Sequence, residues 1–410
     1  MLRCHKSRTG MFDMEDSAAI ARIDAFVFRF PNERPVATSF GIMRDRPAVF
    51  VRLESQDGAF GWGEIFANWP AAGAEHRANL LMHDIADLVL GHSFAAPAEL
   101  LPRLERETRI RAIQCGEQGP FRQVAAGLDI ALWDLFARRA GVPLYRFINA
   151  TAISSVPAYA SGIGINSARD AIADARKAGH HMFKVKVGFE RDVDANALRV
   201  LVSSLGAHER LAADANQAWE IDGALAFLGS MSDVRLAWLE EPMPVDAPES
   251  DWSRLADASH IPLAGGENIA GLDAFDAAIA AGHLAVLQPD VAKWGGLTGC
   301  GLVARRAVAA GRTYCPHFLG GGIGLLASAH LLAAVGGDGV LEVDINDNPL
   351  RDALADPQGS LRSGHWHLNE RPGLGIDVLP PDLERFKTLS LTRHAHAHHP
   401  RAAMMDVVTG

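Results

Sequence analysis

Past residue 155 the chain alternates short apolar runs with longer segments in which apolar residues recur at three and four positions. The short runs, rich in β-branched residues, read as strands and the longer patterns as helices. Eight strand-like runs follow one another at 156–161, 182–188, 210–216, 236–242, 262–268, 285–291, 312–318 and 340–345. Each gap is long enough for a crossover helix, so the runs predict parallel βαβ units, and eight such units close into a (β/α)8 barrel. A doubly wound open sheet is the competing architecture, but it does not require so regular a run of eight.

Ahead of the barrel the pattern is different. Ile20 to Phe28 reads as a strand, residues 31–46 as a loop, and Ala48–Glu54 and Phe60–Glu64 as two further strands joined at Gln56-Asp57-Gly58. Helical periodicity follows at 76–90 and 127–140, where Gly141 closes the helix and Pro143 prevents its continuation. The expected organisation is a disordered leader over 1–18, an α+β capping domain over 19–148 and a barrel over 149–362. Residues 363–390, with Pro372-Gly373-Leu374-Gly375, then return to complete the cap, and 391–410 form a flexible, His-rich tail with no assigned role.

Composition narrows the classes. With 48% hydrophobic and 21% charged residues the chain reads as a soluble globular protein, and no apolar run approaches membrane-spanning length. Residues 1–16 lack the apolar core of a secretory signal. Four scattered cysteines (Cys4, Cys115, Cys300, Cys315) fit free thiols in a reducing cytoplasm. A net charge of -10 argues against nucleic acid as a partner, yet leaves room for a small anionic substrate held by local cations.

The second run carries Lys184 and Lys186 one residue apart, so in a strand both point to one face. Two neighbouring ammonium groups repel, and partial burial adds to this; the expectation is a lowered pKa and a usable base. An edge strand with two solvated lysines fits the same letters. What separates the readings is the polar residue at each later strand end: Asp214 and Asn216, Glu240 and Glu241, Glu267 and Asn268, Asp290, His317 and Glu342, recurring roughly every 25 residues. Active sites of such barrels gather at the C-terminal strand ends, so these groups should converge. Asp214, Glu240 and Glu267 then make a hard oxygen site suited to Mg²⁺, since carboxylates brought together repel without a cation. Glu241, being adjacent to Glu240, is expected to face the barrel wall or the next strand.

The motifs GWGE (61–64), KVK (184–186), DAN (214–216), LEEP (239–242), GGEN (265–268) and PDVAKWGG (289–296), with His317 and Glu342, resemble those of the enolase superfamily, in its mandelate racemase and muconate-lactonizing enzyme branch. The resemblance covers about residues 19–385 and implies a Mg²⁺-dependent abstraction of the proton alpha to a carboxylate, through an ene-diolate. In the muconate-lactonizing relatives a second catalytic lysine stands five residues before the Gly-Gly pair, where this chain has Asp290. Lys293 is offset from that position and is expected to turn away. Asp290 with His317 resembles instead the Asp-His dyad of the mandelate racemase subgroup, in which the carboxylate fixes the histidine tautomer.

In the implied scheme Lys186 takes the α-proton and Lys184 neutralises the substrate carboxylate. Glu342, expected to be protonated, donates a hydrogen bond, and His317 works from the opposite face. It either returns a proton, giving racemisation, or protonates a departing β-hydroxyl, giving dehydration. The resemblance favours dehydration of a sugar acid to a 2-keto-3-deoxy acid, with a 2-hydroxy-acid racemase or epimerase as the alternative and a non-catalytic carboxylate binder as a third reading. It also implies cap loops at 34–46 and 66–75 over the barrel mouth, with Asn216, Arg44, Arg46, Asn68, Trp69 and His76 as candidate substrate contacts, and a homo-oligomer, dimer or octamer.

Overall fold

The computed structural model describes residues 17–38 and 41–395. The chain opens with three antiparallel strands, β1 (Ala18–Thr38), β2 (Gly41–Ser55) and β3 (Phe60–Ile65). The stretch 31–46, expected as a loop, extends the β1–β2 hairpin, with Pro31 opposite Asp45 and Val36 opposite Met43. The pairing shifts register between Pro31 and Val36, which is where prolines, lacking an N–H, are tolerated in a strand.

Three longer helices follow, α1 (Gly73–Leu80), α2 (Leu100–Cys115) and α3 (Gln118–Arg139), with a short β4 (Ser93–Phe94) that pairs with the start of β1. Helix α3 is buried over most of its circumference because β3 and its sheet cover one side and the barrel the other. The glycines of GWGE permit this: a Cβ on Gly61 or Gly63 would run into the α3 backbone at Ala131 or Gly127. Helix α4 (Leu144–Ile148) then leads into the barrel.

Eight parallel strands make that barrel, one for each predicted run: β5 (Ser155–Gly164), β6 (Met182–Lys186), β7 (Arg210–Asp214), β8 (Leu239–Glu240), β9 (Leu263–Gly265), β10 (Val286–Leu287), β11 (Thr313–Tyr314) and β12 (Leu341–Asp344). Hydrogen bonding runs β12-β5-β6-β7-β8-β9-β10-β11, and the circle closes where Val340 N–H meets Cys315 Sγ. Crossover helices α5 (Ala168–Lys177), α6 (Arg191–Ser203), α7 (Ile221–Ser230), α8 (Glu249–Ala258), α9 (Leu272–Ala281), α10 (Gly296–Ala309) and α11 (Gly322–Val335) lie outside.

One residue from each strand or from the position next to it fills the barrel's lower layer: Tyr159, Met182, Ala212, Trp238, Ala264, Val286, Cys315 and Val340. Two residues further on, where the side chain again points inward, stand Ser161, Lys184, Asp214, Glu240, Gly266, Gln288, His317 and Glu342. The apolar layer is thus a floor, and the polar layer above it opens to the C-terminal end.

After α12 (Pro349–Ala355) and α13 (Pro357–Ser360), a hairpin of β13 (Leu361–Arg362) and β14 (His365–His367) pairs with β5, and β15 (Lys387–His394) joins β1 of the cap. Residues 391–394, expected in the tail, therefore belong to the cap sheet, as Ala18, expected in the leader, belongs to β1. The remaining histidines of the tail lie outside the described residues. Within the described residues, no helix is long and apolar enough to cross a membrane.

Buried acids of α3 tie the cap to the returning C-terminal segment and to the barrel. Asp134 of α3 accepts from Trp62 N–H and Leu374 N–H. Asp129, one turn earlier, accepts from the backbone N–H and hydroxyl of Thr298 in the first turn of α10, and burial pushes its carboxyl up to about 7.

Candidate active site

Lys184, at the centre of the polar layer, is buried, with its ammonium 2.6 Å from Glu240 Oε1, 2.7 Å from Glu342 Oε1 and 3.8 Å from Asp214 Oδ2. Burial works to lower its pKa, but Glu240 and Glu342 outweigh it and hold the group well above the usual lysine value. Lys186, one pleat higher, donates to Asn216 Oδ1 at 2.5 Å and to Asp214 Oδ2 at 3.1 Å. Burial and Lys184 press its pKa down as expected from the sequence, yet Asp214 reverses the direction and the group is raised. The expectation of a depressed lysine is corrected: a counter-charge in contact outweighs a like charge farther off.

Asn216 and Gln217 have φ of 45° and 63°, in the left-handed region, and Glu241 has φ of 39°. These positions turn the chain sharply at the ends of β7 and β8, and such strain is kept only where the surroundings enforce it. The turn at Glu241 sends its side chain to the end of the next strand, one of its two expected directions. Its carboxylate accepts from Asn268 Nδ2 at 2.9 and 3.0 Å, beside Glu267, whereas Glu240 points into the barrel and accepts from Lys184, Trp238 Nε1 and Gln288 Nε2. Burial, then the like charges of Glu267 and Asp214, push Glu241 up to about 8; burial pushes Glu240 up to about 7 against Lys184.

Across the mouth, His317 Nδ1 lies 2.7 Å from Asp290 Oδ2, and Nε2 contacts Glu267 Oε2. Each ring nitrogen faces a carboxylate oxygen, so both carry hydrogen and the ring is an imidazolium. Burial opposes this, and Glu267 and Glu342 overcome it. Asp290 Oδ1 accepts from the N–H groups of Ala292 and Lys293 at 2.8 and 3.1 Å, which fixes which oxygen meets the histidine. Burial alone would raise Glu267, but His317 and Lys293 hold it well below the usual carboxylate range.

Two more expectations change. Lys293 does not turn away: a helical turn after β10 brings its ammonium to 2.7 Å from Asn268 Oδ1 and 3.4 Å from Glu267 Oε1, over the Phe66 ring. Glu342 is not a donor. It accepts from Ser161 Oγ, Lys184 Nζ and Phe318 N–H, and although burial would raise it, Lys184 and His317 lower its pKa, favouring the carboxylate.

Among the described residues no three His, Cys, Asp or Glu side chains are gathered tightly enough to hold one ion. The sequence argument that clustered carboxylates need a metal is therefore only part of the balance, because Lys184, Lys186, Lys293 and His317 already supply positive charge.

The cap residues divide. Arg46 descends to the end of β12 and pairs with Asp344 at 2.9 Å, both buried. Asn68 donates to Leu319 O at 2.7 Å, in the loop after His317, and the Trp69 ring packs against Gly41 of the hairpin arm. Arg44 is exposed on the arm, and His76 pairs with Glu117 at the cap surface, so neither is brought to the polar layer. Sequence reasoning missed Ser161, Trp238 and Gln288; their inward parity with Lys184 and Glu240 was the available signal.

Comparison with known proteins agrees with this architecture. Residues 22–148 match the mandelate racemase/muconate lactonizing enzyme N-terminal domain, and residues 167–382 match the enolase C-terminal domain-like family. A solved mandelate racemase/muconate lactonizing enzyme from Bordetella bronchiseptica RB50 is 48% identical, with a TM-score of 0.84 over 90% of this chain and 99% of that one. A racemase structure from Streptomyces coelicolor A3(2) with bound magnesium is 27% identical, with a TM-score of 0.78 over 90% of this chain and all (100%) of that one. Among curated proteins, a 3,6-anhydro-alpha-L-galactonate cycloisomerase of Streptomyces coelicolor is 30% identical over 91% of this chain and 99% of its own length. A D-galactonate dehydratase of Pectobacterium atrosepticum is 27% identical over 80% and 88% respectively.

Proposed function

Because the chain belongs to the mandelate racemase/muconate lactonizing enzyme family of the enolase superfamily, we propose that it removes the α-proton of a sugar acid and expels the β-hydroxyl, giving a 2-keto-3-deoxy acid. The observation that carries this reading is the pair of unlike groups facing each other across the mouth: Lys186, held by Asp214, on one side, and on the other an imidazolium flanked by Asp290 and Glu267. A histidine protonated on both nitrogens is an acid, which suits a leaving hydroxyl better than a second proton abstraction.

In this scheme Lys184 faces the substrate carboxylate and opposes the charge that grows on it, while Lys186, once it has released to solvent the proton it holds beside Asp214, takes the α-proton as the neutral amine. His317 gives its Nε2 proton to the departing oxygen, and Asp290 keeps the ring oriented. Glu342 holds Lys184 and, through Phe318 N–H, the start of the His317 loop. Asp214, Glu240 and Glu267 are the proposed ligands of Mg²⁺; burial and the like charges of Glu267 and Asp214, which push Glu241 up to about 8, mark this rim as one that a divalent cation would relieve. Bound there, Mg²⁺ would draw charge from the substrate carboxylate and acidify the neighbouring carbon. Asn216, bonded to Lys186, and Arg46, paired with Asp344 at the end of β12, are the proposed substrate contacts.

A second reading is favoured by the cycloisomerase relative: the leaving oxygen is tethered within a ring of the substrate, so elimination opens the ring without releasing water. A 2-hydroxy-acid racemase, in which His317 protonates carbon, is the remaining alternative. Incubating the Mg²⁺-loaded enzyme with sugar acids and cyclic sugar-acid derivatives in D₂O separates them, by keto-acid formation with water loss, ring opening, or α-deuteration with loss of optical rotation.

A further inference from the structure

The glutamate of GWGE has no part in the chemistry above, yet it lies against the loop that carries the acid. Glu64, one residue before the end of β3, is buried; its Oε1 accepts from Gly321 N–H at 2.5 Å and its Oε2 from Gly324 N–H at 2.8 Å, at the N-terminus of α11. These residues follow His317 directly. Between them, Phe318 N–H is held by Glu342, Leu319 O by Asn68 and Gly320 O by Asn348. Glycine is required at Gly320 and Gly321, because a Cβ on either would press on Glu64 Oε1 and on the Phe318 or Phe50 ring.

We propose that Glu64 is a positioning residue: from the cap it fixes the backbone of residues 318–324, and so sets where His317 stands relative to the substrate. The inference rests on the assignment of His317 as the acid. Two of the loop's holds, Glu64 and Asn68, come from the cap, so cap docking and the placement of the acid become one event. Burial pushes the Glu64 carboxyl up to about 7, and the Gly324 and Gly321 N–H groups are what favour its charged form.

The test is Glu64→Gln in the full chain, with Asp134→Asn as control. Asp134 is an equally buried cap acid that holds Trp62 and Leu374 and does not touch α11. A glutamine oxygen can accept one of the two N–H groups, while its NH₂ faces the other. Product formation by Glu64→Gln should fall roughly ten- to hundredfold in kcat with little change in KM, whereas α-proton exchange in D₂O, which needs only the Lys186 side, should stay within about threefold of wild type. Amide hydrogen exchange should quicken at 318–324 in Glu64→Gln and not in Asp134→Asn. Wild-type turnover, or an equal fall in turnover and exchange, would overturn the assignment. Should the wild-type protein neither exchange α-protons nor form keto acid, it is the proposed reaction that fails; Glu64 is then judged on amide exchange alone, and unchanged protection at 318–324 overturns it.

Discussion

Asp290→Asn is the sharpest perturbation of the proposed acid. In the native site Asp290 Oδ1 accepts two backbone N–H groups, from Ala292 and Lys293, and Oδ2 accepts from His317 Nδ1. Only an oxygen can satisfy the two N–H groups, so the carbonyl of the introduced asparagine must take that place and its NH₂ must face the histidine. The partner of Nδ1 thereby changes from acceptor to donor, and the imidazolium loses a charge-assisted bond worth about 1.5–3 kcal/mol. That alone lowers the population of the acid form roughly ten- to hundredfold, at ~1.36 kcal/mol per tenfold step. The donor-to-donor clash lowers it further, toward the full worth of a general acid, roughly 10²–10⁴ in rate. The backbone bonds at position 290 survive, so the fold should hold. The assay is keto-acid formation measured beside α-proton exchange in D₂O: formation should collapse within that range while exchange persists. A variant that forms product within a few-fold of wild type would refute both the dyad and the deduced amide orientation.

Lys186→Ala should abolish both exchange and product formation, and His317→Asn product formation alone; retained turnover in either, measured by the same assays, removes the two-sided scheme. Glu240→Gln should weaken Mg²⁺ binding, read by isothermal titration calorimetry, by at least about tenfold more than Glu241→Gln, and the reverse order would transfer the third ligand to Glu241. Asp129→Asn should change the pH dependence of stability. The native carboxyl is raised to about 7 from 3.8, so its contribution is fully present below pH 3.8 and lost as pH rises through 7, up to ~4 kcal/mol at ~1.36 kcal/mol per unit. The asparagine variant should therefore gain on wild type in melting temperature between pH 4 and pH 7.5, and a constant gap across that range would contradict the burial argument.

Much of this site can be read from strand periodicity. Lys184, Asp214, Glu240, His317 and Glu342 all stand two residues beyond an apolar inward position, so the alternation that fills the floor with Tyr159, Trp238 or Cys315 also aims the polar layer. Where the chain leaves the strand, parity fails. Lys293, expected to turn away, is folded back by a helical turn after β10, while Glu241, on a left-handed backbone, meets Asn268 at the next strand as one of its expected directions allowed. Protonation was legible only in part, because it depends on contacts between residues far apart in sequence, such as Ser161 with Glu342 and Lys186 with Asp214. In the hairpin arm, prolines and a glycine give the letters of a loop. Only the cross-strand register from Pro31 to Thr38 shows that pairing continues past them.

The central claim is elimination from a sugar acid, and one experiment bears on it most directly. Purified enzyme with Mg²⁺ is screened against mono- and diacid sugars, and 2-keto-3-deoxy product is detected alongside solvent deuterium at the α-carbon and optical rotation. The account predicts keto acid from at least one substrate, lost in Lys186→Ala and His317→Asn. Deuterium incorporation with loss of rotation and no keto acid from any substrate would contradict it and make the protein a racemase.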